Sequence, residues 1–471
     1  MSRVHLPLAE ESARPRSSLN ADGSRNFVYP ADVKGRFRTA RNVAFAALIA
    51  LWASLPWIPI GGHPAVFLDV DRRTFYLFGG SFNSQDIPFL FFFVTGFAFA
   101  MAFTTAIAGR AWCGWACPQT VFLEALFRPI ERFLEGGREA RIRLDRSPWT
   151  ASKVLRKVTK HAAFLVAASL VAHVFLAYFA SIPAVFRMVR GNPNAHPEAF
   201  AWATAITLLL YGNFAFFREQ LCLVVCPYGR LQSVLVDADS INVGYDARRG
   251  EPRAHAKGRQ KEEGKGDCVD CLRCVAVCPT GIDIRNGMQL DCVACSQCID
   301  ACDEVMDKLG RPRGLVRYDS LNGLDGQPKR LVRPRIWAYV AFGLVGLAVA
   351  TFTLRKRTTF ESNLLRLKGP AFVLEEGAVR NSFEIHLVNK RDVPITYLIK
   401  PQPAPDTTFI VPIATVKLGA MQDAHAPVFI RVPQDKMHGD FRFKVDVLPE
   451  GHPEETKIEA AMFLGPTSGA M

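Results

Sequence analysis

Cysteine is missing from most of this 471-residue sequence. None of the twelve cysteines precedes residue 113 or follows residue 302, so the C-terminal third of the chain contains no thiol. That part of the chain has nothing that could be oxidised to a disulfide, which argues against a disulfide-based scaffold. Eight of the twelve cysteines fall instead within residues 268–302.

Histidine is scarce where a haem would need it. The chain has ten histidines, and only His161 and His173 lie within long apolar stretches. They share one predicted helix and lie roughly 18 Å apart at about 1.5 Å per residue, too far apart to ligate one haem iron. We therefore predict no b-type haem. His173, near the middle of its apolar stretch, is either a proton or metal site or a hydrogen-bonded packing residue.

Acidic residues are fewer than basic ones, 44 against 57, which gives a formal net charge of +13. The basic residues cluster beside apolar segments and form no RNA-binding motif, so we expect no nucleic-acid partner. A hydrophobic content of 49% and 35 Phe are typical of a membrane protein. Five uncharged stretches are long enough to span a bilayer. They cover residues 43–60, 87–109, 161–186, 199–217 and 336–354.

The distribution of Lys and Arg predicts the topology of these spans. Basic residues are dense before the first span, at 25–41, and after the second, at 128–160, whereas the other short loops have two each. Cytoplasmic loops carry such an excess of positive charge. We therefore expect the N-terminus and the cysteine-rich segment in the cytoplasm, and the part beyond about residue 355 in the periplasm.

The stretch "CVDCLRCVAVCPTGIDIRNGMQLDCVACSQCIDAC" contains two runs of C-x2-C-x2-C-x3-C. This spacing is typical of a bacterial ferredoxin with two 4Fe-4S clusters, in which the fourth cysteine of each run binds the other cluster. Zinc is less suitable, because structural zinc sites group their cysteines as two pairs. Asp303 stands where the second run would have proline. The predicted ligands are Cys268, Cys271, Cys274 and Cys302 for one cluster, and Cys292, Cys295, Cys298 and Cys278 for the other.

The last four cysteines form two C-x3-C-P motifs, "CGWACP" after the second span and "CLVVCP" after the fourth. On a continuing helix this spacing places both sulfurs on one face, and the prolines predict a break just beyond. Because the two spans run in the same direction, Cys113, Cys117, Cys222 and Cys226 should meet at one membrane edge. Thiolates select soft ions such as Cu(I). The alternatives are buried cysteines that act as small apolar residues and a redox-active dithiol.

Two features beside these motifs have structural interpretations as well as functional ones. Arg110, Arg218 and Glu219 flank the motifs and either tune them or act as topology anchors. The stretch "TVFLEALFRPIERFLEGG", residues 120–137, interleaves apolar and charged residues and is predicted as an interfacial amphipathic helix.

The C-terminal part is built from short runs rich in Val, Ile and Phe, such as "FEIHLVNK" and "FRFKVDVLP", separated by turn residues. This pattern predicts an antiparallel β-sandwich. Met421 with His425, and Met437 with His438, are candidate copper ligands, but surface loops often carry such residues by chance, and we prefer that interpretation.

The predicted fold class is therefore a multi-domain chain, with a five-helix membrane bundle, an inserted two-cluster ferredoxin domain and a C-terminal β-sandwich. Its predicted parts are a basic cytoplasmic segment (1–41), a four-helix membrane region with both C-x3-C-P motifs (42–235), the ferredoxin domain (236–335), a fifth transmembrane helix (336–354) and a periplasmic β domain (355–471).

These motifs, in this order, resemble the CcoG family, also called FixG or RdxA, over nearly the full chain. The resemblance implies an immunoglobulin-like fold for the β domain, a place in the bacterial inner membrane and a role in assembling cbb3-type cytochrome c oxidase. It also implies reduction of Cu(II) to Cu(I), with two 4Fe-4S clusters on the eight ferredoxin cysteines. Copper would be handled at Cys113, Cys117, Cys222 and Cys226. The implied partners are the oxidase, its copper-assembly factors, a cytoplasmic electron donor and membrane lipid.

Two other functions are compatible with the sequence. One is a quinol-oxidising membrane ferredoxin relay, against which the lack of a cysteine or haem motif in the β domain argues. The other is a scaffold for oxidase assembly with no redox role. The oligomeric state stays open, a homodimer included.

Overall fold

The structure is a computed structural model of this chain. It describes residues 27–70, 72–83, 86–254, 263–330, 332–375, 377–437 and 439–466. Arg25 and His438 lie outside the described residues. The chain divides into two compact units, of which one comprises residues 1–59 and 91–348 and the other comprises residues 60–90 and 349–471.

Five helices are long and apolar enough to cross a membrane, as the sequence predicts. Many of their large apolar side chains are exposed, among them Phe93, Leu209 and Phe342. Apolar surface of this extent needs lipid around it, so the chain is a membrane protein. The spanning helices are α1 (Arg36–Ser54), α2 (Ile87–Ala108), α3 (Ala151–Ala180), α4 (Pro197–Gly212) and α5 (Pro334–Arg355).

The third spanning helix begins earlier than its apolar stretch. The side chain of Thr150 caps α3 at its N-terminus, and the first turns carry lysines that are paired. Lys157 lies 2.8 Å from a carboxylate oxygen of Glu135 and 2.5 Å from one of Asp145. The helix ends where Ser181 adopts φ 60°, a conformation that interrupts a helix. The residues that follow form a separate helix.

The ferredoxin domain of the first unit has a small core under a two-stranded antiparallel sheet, Asn242–Tyr245 with Val316–Asp319. Ile282, Ile299 and Leu315 are buried in this core. The other helices of the unit, including 3-10 and π turns, are Leu55–Trp57, Ala111–Trp115, Pro118–Phe122, Leu123–Phe127, Arg128–Glu135, Arg138–Arg146, Ile182–Arg190, Pro193–Ala195, Asn213–Phe217, Leu221–Val225, Pro227–Leu235, Ala247–Gly250, Arg273–Ala276, Ile284–Asn286, Gln297–Leu309 and Leu321–Leu324.

The segment before α1 packs on the ferredoxin domain. The backbone N–H of Ala31 donates to the carbonyl of Ala276 at 2.8 Å. The carboxylate of Asp300 accepts the N–H groups of Arg38 at 2.7 Å and Phe37 at 3.2 Å. These are orphan donors of the first turn of α1, so a ferredoxin residue caps a spanning helix.

The second unit is a β-sandwich with a three-stranded meander, Val66–Asp69, Thr74–Leu77 and Gly80–Asn83. The strands of the sandwich are β1 (Phe360–Arg366), β2 (Val373–Glu375), β3 (Ala378–Asn389), β4 (Ile395–Pro401), β5 (Thr408–Ile410), β6 (Thr415–Leu418), β7 (Asp423–Pro433), β8 (Phe441–Pro449) and β9 (Lys457–Phe463). One sheet has the strand order β5-β7-β3-β1, with β2 also paired to β3, and the other has β6-β4-β8-β9. Two short strands, Pro59–Ile60 and His63–Pro64, precede the meander, and short 3-10 turns lie at Gln434–Lys436 and Pro453–Glu455.

Alternate residues of both sheets fill the sandwich core. Phe383, Ile385 and Leu387 of β3 are buried, as are Val445 and Val447 of β8. A period of two with one apolar face is what a sheet needs to pack on a second sheet. The predicted fold class is thereby confirmed.

The segment 60–90 belongs to the same compact unit as the sandwich and contributes a buried carboxylate to it. Asp86 lies 2.8 Å from the guanidinium of Arg357 and 3.1 Å from the ammonium of Lys390. The side chains of Asp86 and Lys390 are almost fully buried. This ion pair joins residues that are far apart in the sequence.

Candidate metal centres

Two cavities in the ferredoxin domain are each lined by four of the predicted ligand cysteines. The first cavity is lined by Cys268, Cys271, Cys274 and Cys302, and the second by Cys278, Cys292, Cys295 and Cys298. Cys274 lies between the two cavities and also lines the second. The two sets of four cysteines are those that the interleaved ferredoxin spacing predicts.

The two cysteine loops share an unusual backbone. Asp270 and Leu272 have φ values of 52° and 55°, and Ala294 and Ser296, at the equivalent positions of the second run, have 50° and 58°. The left-handed conformation costs a non-glycine residue roughly 1–2 kcal/mol. Strain repeated at matching positions indicates a shared functional constraint. Here it curls each run so that its first three cysteines line one cavity.

The cysteines of these cavities differ in exposure: Cys268 and Cys295 are buried, Cys271 is exposed, and the other five are partly buried. Burial raises the pKa of Cys302 to about 12, and repulsion from the neighbouring Cys274 and Cys271 adds to the increase. Burial also raises the pKa of Cys298 well above its ordinary value. Thiolates in such a site need the charge of a metal centre. The donor set therefore fits a 4Fe-4S cluster, which supplies one-electron redox chemistry when bound.

Arg41 provides a second test of this fit. Its side chain is fully buried, and Nε donates to the carbonyl of Gly114 at 3.0 Å. Among the described residues, Nη1 and Nη2 find no hydrogen-bond partner. Burial raises the pKa of Cys295, and the positive charge of Arg41 opposes this increase because it favours the thiolate. A buried cation with free donors beside a ligand cysteine suits an anionic cluster.

The structure brings all four C-x3-C-P cysteines together. Burial raises the pKa of Cys222 to about 12, and the other three thiols, Cys117, Cys113 and Cys226, add to the increase by repulsion. The pKa of Cys113 is raised to about 11 in the same way, mainly by burial. Groups interact in this manner only when they are neighbours. The two motifs thus form one thiol cluster.

Each motif breaks its helix between the two cysteines, so the prediction of one continuing helix is wrong. Cys113 lies in the short helix Ala111–Trp115, whereas Cys117 is extended at φ −61° and ψ 127° and precedes the helix Pro118–Phe122. Cys226 is extended in the same way before the helix that Pro227 begins. The prolines restart the helices, as the sequence predicts, because proline suits the first helical position.

The environment of the thiol cluster contains two further polar groups. The amide of the fully buried Gln232 donates to the sulfur of Cys113 at 3.4 Å. Arg110 is buried, donates to the carbonyl of Gly229 and lowers the pKa of both Cys113 and Cys292, against the larger increase from burial. The charge of Arg110 therefore acts on the thiol cluster and on a ferredoxin ligand together.

The spacing of the sulfurs limits how many can hold one ion at a time. Three or four thiolates around a single ion, at about 2.3 Å from it, lie within about 4 Å of one another. Among the described residues, no three of these cysteine sulfurs lie mutually within 4.8 Å. In this conformation a single ion therefore contacts fewer than three of them.

Arg218 and Glu219 take part in a buried ionic network. Arg218 lies 2.7 Å from Glu131, and Glu219 lies 3.6 Å from Arg128. All four side chains are buried. They fix the segment after α4 to the segment after α2, and so hold the two motifs together.

The first motif lies directly on the ferredoxin domain. A Cβ on Gly114 would lie 2.6 Å from the carbonyl oxygen of Ala294, so only glycine fits there. Beside it, Nε1 of Trp115 donates to the hydroxyl of Tyr318 at 2.9 Å, and that hydroxyl donates to the carbonyl of Ala294 at 2.8 Å. Ala294 is in the loop between the ligand cysteines Cys292 and Cys295. The thiol cluster and the second cluster cavity are thus neighbours.

The two intramembrane histidines have local partners. Nδ1 of His173 lies 2.7 Å from the carbonyl of Ser169 on the same helix. Nδ1 of His161 lies 3.0 Å from the hydroxyl of Tyr211. Both contacts are those of hydrogen-bonded packing residues.

Three family models match this chain. Residues 217–321 match a 4Fe-4S dicluster domain, which includes Cys222, Cys226 and all eight ferredoxin cysteines. Residues 89–136 match a second 4Fe-4S binding domain, which includes Cys113 and Cys117. Residues 350–466 match the IG-like fold at the C-terminus of FixG.

Three curated proteins are similar over most of their length. The nitrogen fixation protein FixG of Rhizobium meliloti is 36% identical over 428 residues, covering 80% of this chain and 79% of that protein. RdxA of Cereibacter sphaeroides is 36% identical, covering 78% and 80%, and RdxB of the same organism is 37% identical, covering 80% and 81%. With five apolar helices, 4Fe-4S domains and the IG-like domain in one order, this chain belongs to the FixG/RdxA family of membrane iron-sulfur electron-transfer proteins.

Proposed function

We propose that this chain reduces Cu(II) to Cu(I) for the assembly of a cbb3-type cytochrome c oxidase. The observation that carries the proposal is the contact of Gly114 with the loop that holds Cys292 and Cys295. Trp115 supports this contact through Tyr318, whose hydroxyl accepts from Trp115 and donates to the carbonyl of Ala294. The contact places a set of thiols suited to Cu(I) beside a cavity suited to a one-electron carrier.

The exposure of the ferredoxin cysteines favours one direction of electron flow. Cys271 is exposed, and Leu272 next to it is half exposed, which gives a cytoplasmic donor access to the first cavity. Cys295 is buried, and its neighbour Ala294 contacts Gly114 of the first motif. Electron entry and exit therefore lie at different ends of the domain. Each Cu(II) takes one electron, which matches the one-electron chemistry of the bound clusters.

The four C-x3-C-P cysteines retain the product rather than the substrate. Thiolates prefer the soft Cu(I) ion, and the four cysteines are partly buried, which limits the access of water and oxygen to a bound ion. Because burial raises the pKa of Cys113 to about 11, the thiol is protonated near neutral pH and loses its proton when copper binds. Gln232 orients the sulfur of Cys113 through its hydrogen bond.

The proposed topology places the thiol cluster and the ferredoxin domain in the cytoplasm and the sandwich in the periplasm. The positive charges at 25–41 and 128–160 support it. The contacts within the first unit also support this topology. Segments that we expect on the same side of the membrane, such as 27–35 and 263–330, lie in that unit and contact each other. The proposed partners are the oxidase, its copper-assembly factors, a cytoplasmic electron donor and membrane lipid.

Anaerobic mixing of the protein with Cu(II) tests the proposal. The clusters are first reduced, and excess reductant is removed. Bleaching of the cluster absorbance and Cu(I) capture by a chelator are then followed in parallel. We expect one Cu(I) for each electron lost, and loss of this reaction in a variant with Cys113, Cys117, Cys222 and Cys226 all changed to Ser.

Two controls make the result specific. The four-serine variant must keep the iron content of the parent, which shows that its clusters are intact. The parent with oxidised clusters reports how much Cu(II) the thiols reduce by themselves. Equal rates in parent and variant, or no Cu(I) at all, would overturn the proposal and favour a quinol relay or a scaffold.

A further inference from the structure

A group of metal-ligating side chains lies on the sandwich, in the unit that contains no cysteine. In β3 the buried residues Ile385 and Leu387 flank His386, which therefore lies on the solvent side of the sheet. In β7 the same alternation places Asp423 and His425 on the solvent side.

The strand register brings these three residues together. His386 is directly opposite His425, and their imidazole rings stack with centroids 4.4 Å apart and planes 10° from parallel. Nε2 of His386 lies 3.0 Å from Oδ2 of Asp423. One ligand atom from each residue lies within 4.8 Å of the other two. Small side-chain rotations bring such a set to the separations that a bound ion imposes, about 3 to 4 Å.

The charges around the group favour a cation. Oε2 of Glu384 lies 3.4 Å from Nδ1 of His425, so two carboxylates accompany two imidazoles. Within the part of the chain that the structure describes, neither Asp423 nor Glu384 forms an ion pair with Lys or Arg. Asn363, opposite His386 on β1, adds an exposed amide on the same face.

A second group of similar composition on the sandwich differs because it is already paired with an arginine. His452, Glu454 and Glu455 are also within mutual reach. However, the guanidinium of Arg391 lies 2.6 Å from Glu455 and 3.2 Å from Nε2 of His452. A cation is already present there, so this second group serves as the control.

We propose that His386, His425 and Asp423 form a binding site for a divalent first-row transition-metal ion, with Cu(II) bound most tightly. Imidazole and carboxylate ligands suit Cu(II) and Zn(II), and the general order of affinity for these ions peaks at Cu(II), above Zn(II). The set contains no thiolate, so it differs chemically from the Cu(I)-selective thiol cluster. No electron transfer is involved, and the site stands independently of the proposed function.

Electron paramagnetic resonance of Cu(II) tests the site in the whole chain. The protein carries oxidised clusters and the four serine substitutions at Cys113, Cys117, Cys222 and Cys226, so that thiols neither bind nor reduce the ion. One equivalent of copper sulfate is added. We expect one Cu(II) per chain with hyperfine coupling to two imidazole nitrogens.

Single variants identify the ligands. His386→Gln and His425→Gln should each lose one nitrogen coupling and weaken Cu(II) binding at least tenfold, whereas His452→Gln should bind as before. Both substituted histidines face solvent, and circular dichroism checks that the sandwich remains folded. Unchanged spectra and affinity in the double variant His386→Gln/His425→Gln would overturn the proposal.

The two proposals fail separately. With the native cysteines present, the double histidine variant should still reduce Cu(II) when its clusters are reduced. Loss of binding in that variant, together with intact reduction, would establish a Cu(II) site distinct from the reduction site.

Discussion

Gly114, in the first C-x3-C-P motif, lies against Ala294, in the loop between two ferredoxin ligands, so closely that a Cβ would be 2.6 Å from the Ala294 carbonyl oxygen. Gly114→Ala should therefore push the two segments apart, at a cost of about 1–3 kcal/mol for overpacking. We expect slower electron transfer from the reduced clusters to an acceptor at the thiol cluster, with iron content unchanged. Stopped-flow bleaching of the cluster absorbance measures this rate.

Gly137→Ala is the matched control for this substitution. A Cβ on Gly137 meets nothing within 4 Å, and its φ of −69° suits any residue. The rate should remain that of the parent. If Gly114→Ala transfers electrons as fast as Gly137→Ala, the contact between the motif and the loop is not part of the electron path.

The sequence predicted which cysteines form each group, but it did not predict the residues that lie between the groups and link them. Fixed spacing makes Cys268 to Cys302 a recognisable pattern, because the geometry of a cubane dictates the gaps. Gln232 and Tyr318 carry no such signal, since a single amide or phenol has many structural uses. Arg41 resembled any basic residue at the start of a span until the structure placed it beside Cys295.

Arg41 should raise the reduction potential of the second cluster. A buried positive charge stabilises the reduced form of the cluster, which is more negative than the oxidised form. Removing it in Arg41→Met should lower that potential by roughly 40 mV, if the interaction is worth about 1 kcal/mol at an effective dielectric constant near 20. A redox titration followed by electron paramagnetic resonance measures both clusters in one sample.

Arg36→Met is the control for charge alone, because the side chain of Arg36 is mostly exposed. Its effect should be small, since solvent screens an exposed charge. A shift of both potentials by the same amount in Arg41→Met would contradict a local effect of Arg41 on the cavity that Cys295 lines.

The charged residues of 120–137 lie in an environment that differs from the one their pattern predicts. Alternating apolar and charged residues predicted a helix at the membrane surface, yet Glu124, Arg128 and Glu131 are buried and paired with one another and with distant charges. Their partners, such as Arg218, come from other segments of the chain. Hydropathy alone cannot distinguish a charge that faces water from one that faces a buried counter-charge.

Asp86 should stabilise the sandwich unit through its buried contacts with Arg357 and Lys390. Although burial alone raises the pKa of Asp86, the hydrogen bond from Arg357 and the nearby positive charges bring it below the ordinary value. This contribution is therefore present above the unfolded pKa, about 3.9, and is lost as the pH falls through the lower folded value. Asp86→Asn should cost about 3–5 kcal/mol, because it leaves Lys390 buried without its full counter-charge.

The rate of limited proteolysis of the whole chain near neutral pH measures this loss. Asp69→Asn is the control, because Asp69 pairs only loosely with the exposed Arg72, at 4.0 Å, and such pairs contribute at most about 1 kcal/mol. Equal protease resistance of the two variants would show that the buried pair does not hold the unit together.

Copper binding at the thiol cluster should become tighter as the pH rises. Burial raises the pKa of Cys113 to about 11 and that of Cys222 to about 12, so both are protonated across the range from about pH 6 to about pH 8. Each thiol that binds Cu(I) releases its proton. With two such ligands, the affinity for Cu(I) should therefore increase roughly 100-fold per pH unit throughout this pH range. Competition with a Cu(I) chelator of known pH dependence measures the slope. The four-serine variant should show no such slope, and a flat response in the parent would mean that these thiols do not hold the ion.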